Sequence, residues 1–236
     1  MVFDVKALLA PPNPLSFRKI LCVQPHPDDN EIGMGGTIAV LAALGCEIHY
    51  LNVTNGDLGN KDKSATKQQT AAQRHMETEL AGNHLGARHY HHLDHGDSTL
   101  SDVHGLSMEI AQVIREVSPD AVFGPDPHLP YEAHLDHIVT GAALANAFRM
   151  SAAQAIGYYF SANPNTVIDI SQVFEKKFEA IALHDSQMTP ETLGMFRVYF
   201  GMKAQELAAG KGFALGEGLK MLSQLHTHCF VDADKI

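Results

Sequence analysis

Cysteine, basic residues and long apolar runs are all scarce in this sequence, and each shortage excludes a class of protein. Cys22, Cys46 and Cys229 are odd in number and far apart. This spacing argues against a disulfide framework or a cysteine zinc site and favours reduced thiols. Lys and Arg total 17 against 27 Asp and Glu, a net charge of -10. We therefore expect no nucleic-acid partner, because binding to a phosphate backbone requires clustered basic side chains.

No apolar run approaches the roughly 18 to 20 residues that a membrane span requires. The first residues, MVFDVKALLAPPNPLSF, lack the pattern of a secretory signal peptide. We therefore expect no membrane partner and a cytoplasmic location. With 236 residues, 45% of them hydrophobic, the chain can bury a core. We expect a single α/β domain over residues 1–236, with a mainly helical C-terminal part over 190–236.

Apolar runs alternate with helical patterns along the chain. KILCVQ at 19–24 and EIHYLNVT at 47–54 predict strands, and GGTIAVLAALG between them predicts a helix. Further strands are expected at 121–124, 155–160 and 166–170. This alternation predicts a three-layer, Rossmann-like α/β fold with a mostly parallel sheet, whose active site lies at the carboxyl ends of the strands.

The first predicted strand ends in QPHPDDNEIGMGG, which combines a histidine and three acidic residues with glycines. A nucleotide site is disfavoured because G-x-G-x-x-G is incomplete and the acidic side chains would repel a pyrophosphate. Carboxylates and a histidine in one loop favour a cation site, in which His26 and Asp29 are close enough to bind one ion. Asp28 points elsewhere, towards a water on that ion. The alternative is a helix-capping loop with Asp29 as the N-cap.

A second charged loop, DPHLPYEAHLDH, follows the strand predicted at 121–124 and precedes a helix. Both loops should meet at one edge of the sheet, because each follows a parallel strand. His134 and His137 flank Asp136, and two histidines with one carboxylate leave coordination positions open, as in catalytic metal sites. Asp136 is expected to orient a neighbouring imidazole. The facial triad of iron(II) oxygenases is a rival, which the alternating βα pattern disfavours.

PHPDDNEIGMGG and YEAHLDH together resemble the PIG-L/LmbE superfamily of zinc-dependent N-deacetylases, and within it the diacetylchitobiose deacetylase branch. TNGDLG, Arg74-x-x-Glu77, GDSTL and HDSQ extend the similarity along the chain. The resemblance implies a hydrolase that removes the N-acetyl group from N-acetylglucosamine or a chitobiose-like oligosaccharide by zinc-activated water. The alternatives are a deacetylase of another conjugate, a thiol-cofactor precursor or an antibiotic sugar, and a metal-dependent sugar-binding module without activity.

The resemblance also implies roles for individual residues. It implies three zinc ligands, with iron(II) or another divalent ion as the alternative metal: His26, Asp29 and His137. Asp28 matches the general base, and His134 matches the residue that stabilises the oxyanion and protonates the leaving amine. Arg74 and Asp97 match residues that touch the sugar. Relatives in this superfamily assemble into trimers or hexamers, so the resemblance implies a homo-oligomer.

Simpler interpretations exist for the residues outside the two loops. Arg74 and Glu77 are also spaced as an ordinary i,i+3 pair on a solvated helix face. Asp97 is also placed to cap a turn before Leu100. The histidines of ARHYHHLDHGD, residues 87–97, cannot all converge, because neighbouring strand residues face opposite sides of a sheet. For these histidines we expect a structural or surface role.

Overall fold

The structure, a computed structural model, describes residues 4–228 and 230. Its strands are β1 (Lys19–Gln24), β2 (Glu47–Thr54), β3 (His89–His95), β4 (Ala121–Pro125), β5 (Ala155–Tyr159), β6 (Thr166–Asp169) and β7 (Gly216–Ser223). Its α-helices are α1 (Val5–Leu8), α2 (Asp29–Ala43), α3 (Lys67–Leu85), α4 (Val103–Val117), α5 (Leu135–Arg149), α6 (Phe174–Ala182) and α7 (Pro190–Ala208). None of the helices in this part of the chain is both long and apolar enough to cross a membrane.

The strands form one sheet in the order β3-β2-β1-β4-β5-β7-β6. The pairs from β3 to β5 are parallel, and β7 runs antiparallel to both β5 and β6. The predicted mostly parallel α/β sheet is therefore confirmed. The order reverses between β1 and β4, and ligands of open α/β sheets bind at such a point, beyond the carboxyl ends of the strands.

Two apolar layers cover the sheet because alternate strand residues face opposite sides. Ile20 and Cys22 of β1 pack with α2, α3 and α6, whereas Leu21 and Val23 pack with α4 and α5. All four side chains are fully buried. Cys22 and Cys46 are buried free thiols, as expected, and Cys229 lies outside the described residues.

Helix α3 has well-defined ends because its sequence supplies both caps. The Thr66 hydroxyl accepts from the backbone N–H of Gln69, whose side chain in turn accepts from the backbone N–H of Thr66. Gly86 ends the helix with φ of +118°, a conformation that favours glycine. A Cβ at Gly86 would also lie 2.4 Å from Cβ of Ala42.

Two elements differ from the sequence-based expectation. Helix α2 begins at Asp29, earlier than predicted, and breaks its helical geometry at Met34. The expectation of a mainly helical part over residues 190–236 is wrong, because β7 follows α7 and enters the sheet between β5 and β6. In GEGLKMLS the three large apolar residues, Leu219, Met221 and Leu222, all lie in the second half, so the local pattern of a strand is weak. Burial of Leu219 and Met221 in the core and pairing with β5 and β6 make the segment a strand.

Candidate metal centre and active site

The loop between β1 and α2 is folded back on itself by one carboxylate. Asp29 is the first residue of α2, and its Oδ2 accepts a hydrogen bond from the backbone N–H of His26 at 2.9 Å. The same oxygen lies 3.3 Å from Nδ1 of His26. This turn places an imidazole and a carboxylate, three residues apart in the sequence, at one point on the edge of the sheet.

His137 reaches the same point from the neighbouring loop. It lies in the first turn of α5, and its Nε2 is 3.4 Å from Oδ1 of Asp29. His26, Asp29 and His137 each offer a ligand atom, and these atoms lie within 4.8 Å of one another. The structure thus brings together the three residues predicted as metal ligands. Two imidazole nitrogens and one carboxylate suit zinc and similar divalent ions, and they leave coordination positions open.

Carboxylates crowd the imidazole of His26. Its Nε2 lies 3.1 Å from Oδ2 of Asp136 and 3.5 Å from Oδ1 of Asp97, while Asp29 faces Nδ1. Burial lowers the pKa of His26, but hydrogen bonds to Asp136, Asp29 and Asp97 outweigh it and raise the pKa to about 12. A divalent cation offsets such a concentration of buried negative charge, so this donor set fits a metal ion.

Asp136 is held in place from the turn after β3. It is fully buried, and its carboxylate accepts hydrogen bonds from the backbone N–H groups of Ser98 at 2.7 Å and Leu100 at 3.3 Å. Burial raises its pKa, but the hydrogen bonds to His26, Ser98 and Leu100 outweigh burial and lower it. The ionised carboxylate of Asp136 faces Nε2 of His26, so Nδ1 of His26 is available as the ligand atom. This contact matches the orienting role predicted for Asp136.

Asp28 has a strained backbone, with φ of +136° in a residue other than glycine. Its side chain accepts a hydrogen bond from Nη2 of Arg74 at 3.1 Å and is 12% exposed. Burial raises the pKa of Asp28, with the positive charge of Arg74 as the largest opposing effect. Strain of this kind persists where surrounding contacts impose it, and it concentrates at functional sites.

Arg74 is a buried residue that bridges two loops. Its Nη2 also donates to the carbonyl of Pro27 at 2.6 Å, and its Nη1 donates to the carbonyl of Gly56 at 3.2 Å. Glu77 instead accepts from the backbone N–H and hydroxyl of Ser186. Arg74 and Glu77 are 3% and 5% exposed, so the interpretation as a solvated i,i+3 pair is wrong.

A polar cavity of about 370 Å³ contains most of the predicted site residues. Its lining residues are His26, Asp28, Leu58, Gly59, Arg74, Asp97, Ser98, His134 and Gln187. Burial raises the pKa of Asp97, but the hydrogen bond to His26 outweighs it and lowers the pKa to about 2. Asp97 therefore faces the cavity as a carboxylate, besides accepting from the hydroxyl of Ser98 in its turn.

His134 is an exposed residue that lines this cavity. It is the N-cap residue of α5, and its ring centroid lies 4.5 Å from that of His26. Its backbone N–H donates to Oε1 of Glu132 at 2.8 Å, and Oε2 of Glu132 lies 3.6 Å from Nδ1 of His137. Glu132 thus contacts both His134 and His137, a role that the sequence analysis did not assign.

Comparison with known proteins identifies the family. Residues 21–148 match the model of the PIG-L family, described as GlcNAc-PI de-N-acetylase. The chain is also 34% identical over 228 residues to the diacetylchitobiose deacetylase of Thermococcus kodakarensis, across 89% of this chain and 85% of that protein. The chain belongs to the PIG-L family. The predicted resemblance is confirmed.

Two further relatives agree with this membership. A probable N-acetyl-alpha-D-glucosaminyl L-malate deacetylase 2 of Bacillus cereus is 30% identical, across 72% of this chain and 84% of that protein. The solved structure of the N,N'-diacetylchitobiose deacetylase from Pyrococcus horikoshii, in complex with an inhibitor, superposes with a TM-score of 0.91. It is 30% identical and covers 98% of this chain and 95% of its own.

Gln187 is a cavity residue that lies beyond the part of the chain matched by the PIG-L model. Its side-chain amide donates to the carbonyl of Gly59 and, at 3.4 Å, to the hydroxyl of Ser186. The sequence analysis noted the string HDSQ but assigned no role to its residues. The signal was present, but only the folded chain places residue 187 beside Arg74 and Gly59.

His184, from the same string, forms a buried pair with Glu31. Both side chains are fully buried, and Nε2 of His184 lies 3.3 Å from Oε2 of Glu31. Burial lowers the pKa of His184, but Glu31 outweighs it and raises the pKa. The charges of His184 and Arg74 both favour the ionised form of Asp28. Sequence analysis treated Glu31 only as one of the acidic residues of the first loop.

Proposed function

We propose that this chain is a metal-dependent N-acetylglucosamine deacetylase that acts on N-acetylglucosamine or a chitobiose-like oligosaccharide. The observation that carries the proposal is the convergence of His26, Asp29 and His137 at the edge of a cavity that also contains Asp28. A carboxylate beside an open metal site is the arrangement for hydrolysis by an activated water. The names of the PIG-L relatives, which are deacetylases of N-acetylglucosamine compounds, support the substrate class.

Zinc is the ion that we propose for the site, held by His26, Asp29 and His137. Two imidazoles and one carboxylate match catalytic zinc sites, and iron(II) is the alternative. A divalent ion bound there polarises the amide carbonyl and lowers the pKa of a water. Asp136 holds the imidazole of His26 in the orientation that the site requires.

Asp28 is the proposed general base. Its carboxylate faces the cavity next to the three proposed ligands, where it takes the proton from the attacking water. Arg74 holds the carboxylate through the hydrogen bond from Nη2 and anchors the strained backbone through the carbonyl of Pro27. These contacts orient Asp28 before substrate arrives, so no reorganisation is needed during the reaction.

His134 is the proposed donor to the oxyanion that forms on the acetyl carbonyl oxygen when water attacks the carbonyl carbon, and it delivers a proton to the leaving nitrogen as the C–N bond breaks. Its position in the lining of the cavity that also contains Asp28 supports this division of roles. Asp97 and Arg74 are the proposed contacts of the sugar. Arg74 has a second role in this scheme, because two of its hydrogen bonds hold the residue 27–28 segment.

The test is acetate release from N-acetylglucosamine and diacetylchitobiose by protein that is stripped of metal and then reloaded with zinc. Release that depends on zinc is the expected result. His137→Ala should lose the catalytic metal and activity together, whereas Asp28→Asn should keep the metal and lose about 100-fold or more in rate. An active Asp28→Asn enzyme contradicts the base assignment. Zinc binding without release from either sugar favours another acetylated amine or a binding module.

We also propose that the chain forms a homo-oligomer, a trimer or a hexamer. Four apolar side chains on one side of α7 are between 56% and 66% exposed: Met195, Val198, Tyr199 and Met202. Their i, i+3, i+4, i+7 spacing makes one continuous stripe, and stripes of this kind mark protein interfaces. Light scattering after gel filtration tests the proposal, and a Val198→Glu variant should shift the mass towards the monomer. A monomeric wild-type protein contradicts it.

A further inference from the structure

A second group of metal-ligating side chains lies outside the catalytic cavity, between α3 and β3. It consists of His75 on the helix and His92 and Asp94 on the strand. Nε2 of His75 lies 3.1 Å from Oδ1 of Asp94, and the rings of His75 and His92 have centroids 4.2 Å apart at a tilt of 33°. Each residue offers one ligand atom, and these atoms lie within 4.8 Å of one another.

Two nitrogens in this group have no hydrogen bond in the described part of the chain. Nε2 of His75 and Nδ1 of His92 are both shielded from solvent, and neither makes a hydrogen bond of acceptable geometry. A buried polar atom without a hydrogen bond costs about 1–3 kcal/mol, and an ion between these two nitrogens and Asp94, the carboxylate that Nε2 of His75 already faces, is a physical explanation for the arrangement. Burial and the neighbouring His75 lower the pKa of His92, which favours the neutral imidazole that binds metal ions.

We propose that His75, His92 and Asp94 form a second binding site for a divalent transition-metal ion of the zinc class. Two imidazoles and one carboxylate are a sufficient protein contribution for zinc. Asp94 is exposed and leaves room for water to complete the coordination shell. The ion joins α3 to β3, which is the edge strand of the sheet.

The neighbouring group of Glu47, His49 and His89 does not have the same properties. Both ring nitrogens of His49 are already engaged, Nε2 with Glu47 at 2.8 Å and Nδ1 with His91 at 3.1 Å. The rings of His49 and His89 stack at 14°, with centroids 4.2 Å apart. Hydrogen bonds and stacking account for this group without an ion. Its exposed histidine, His89, therefore provides a matched control.

Position gives the proposed site a link to the catalytic cavity. His75 follows Arg74 on α3, and Asp94 precedes Asp97 by three residues. An ion shared by His75 and Asp94 restrains both segments that carry these cavity residues. We therefore expect the second ion to stabilise the fold and to take no direct part in the reaction at the first site.

Zinc stoichiometry tests the proposal directly. Metal-stripped protein is equilibrated with low micromolar zinc, and the bound metal is counted by elemental analysis. We expect two equivalents in the wild type, one in the double variant His75→Gln/His92→Gln, and two in His89→Gln. His137→Ala should lose the other equivalent. Far-UV circular dichroism verifies that each variant is folded. If the double variant does not fold, Asp94→Asn, at an exposed position, takes its place and should also lower the zinc content.

Thermal unfolding provides a second measurement. Zinc should raise the melting temperature of His137→Ala, and this rise should disappear when His75 and His92 are also replaced, because an ion stabilises only the state that binds it. Equal zinc content in the wild type and the double variant would overturn the proposal. The proposal would also be overturned if the wild type bound one equivalent of zinc and His137→Ala bound none. Either result leaves the proposed deacetylase function intact, since that function rests on the first site.

Discussion

The hydrogen bonds of Arg74 predict that Arg74→Gln impairs turnover more than substrate binding. Arg74 holds Asp28, the proposed base, through a hydrogen bond between charged groups that is 3.1 Å long and buried. Such bonds contribute about 1.5–3 kcal/mol. If this contribution orients the base in the transition state, its loss corresponds to about a 10- to 150-fold decrease in kcat, because 1.36 kcal/mol is a factor of ten.

The pH dependence of kcat should change in a defined direction. Burial raises the pKa of Asp28, and the charge of Arg74 opposes this rise. Without that charge the pKa of Asp28 rises further. Asp28 acts as a base only when ionised, so activity is lost as the pH falls through its pKa. The acid limb of the kcat profile should therefore lie at higher pH in Arg74→Gln than in the wild type. A bound metal ion acts on both proteins and cancels from this comparison.

The assay is steady-state acetate release from diacetylchitobiose across the acid range. Arg74→Lys should keep the acid limb closer to that of the wild type, because it keeps the charge, yet still lose kcat, because an ammonium cannot reproduce the planar fork of the guanidinium. Arg88→Gln, at an exposed arginine, should match the wild type. A raised KM with unchanged kcat and an unmoved acid limb would refute the reasoning and leave Arg74 as a sugar contact only.

Two further predictions concern stability and thiol reactivity. Lys177→Met leaves the buried carboxylate of Glu217 without its cation, so it should cost about 3–5 kcal/mol in urea unfolding. Lys203→Met, in an exposed pair, should cost less than about 1 kcal/mol, and equal costs would contradict the argument. Burial raises the pKa of Cys22 well above its usual value and that of Cys46 to about 11, so few thiolates exist at neutral pH. In a Cys229→Ser variant, a disulfide reagent should react slowly until denaturant is added, whereas rapid labelling of the native protein would contradict the buried thiols.

Glu217 shows how the late strand β7 supports a site formed near the start of the chain. Its carboxylate accepts from the backbone N–H of Gly36 at 3.4 Å and of Thr37 at 2.6 Å. These donors lie just after the break at Met34 in α2, where the regular helical geometry is interrupted. The carboxylate and Lys177 thus stabilise the helix that carries Asp29. Nothing local in residues 29–37 predicts this contact.

Local patterns determined the elements around the site. The apolar run of β1 and the spacing of His26 and Asp29 each act over a few residues, so the sequence alone predicts them. The meeting of the loops after β1 and β4 also follows from sequence, because consecutive βα units of a parallel sheet place such loops on one edge. The fold class and a metal site at this edge could therefore be predicted from the sequence, and the resemblance to the PIG-L/LmbE superfamily implied the full ligand set.

Tertiary packing decided what surrounds those ligands. His26 contacts Asp97 and Asp136, which are far away in the sequence and come from different loops. Arg74 is buried against Asp28 although its spacing to Glu77 equally suits a surface pair. Strand β7 forms through its pairing with β5 and β6. Sequence determines a residue's chemistry and its local conformation. Its burial and its charged neighbours depend on which elements pack together. Burial and charged neighbours together shift the pKa values of His26, Asp28 and Asp97.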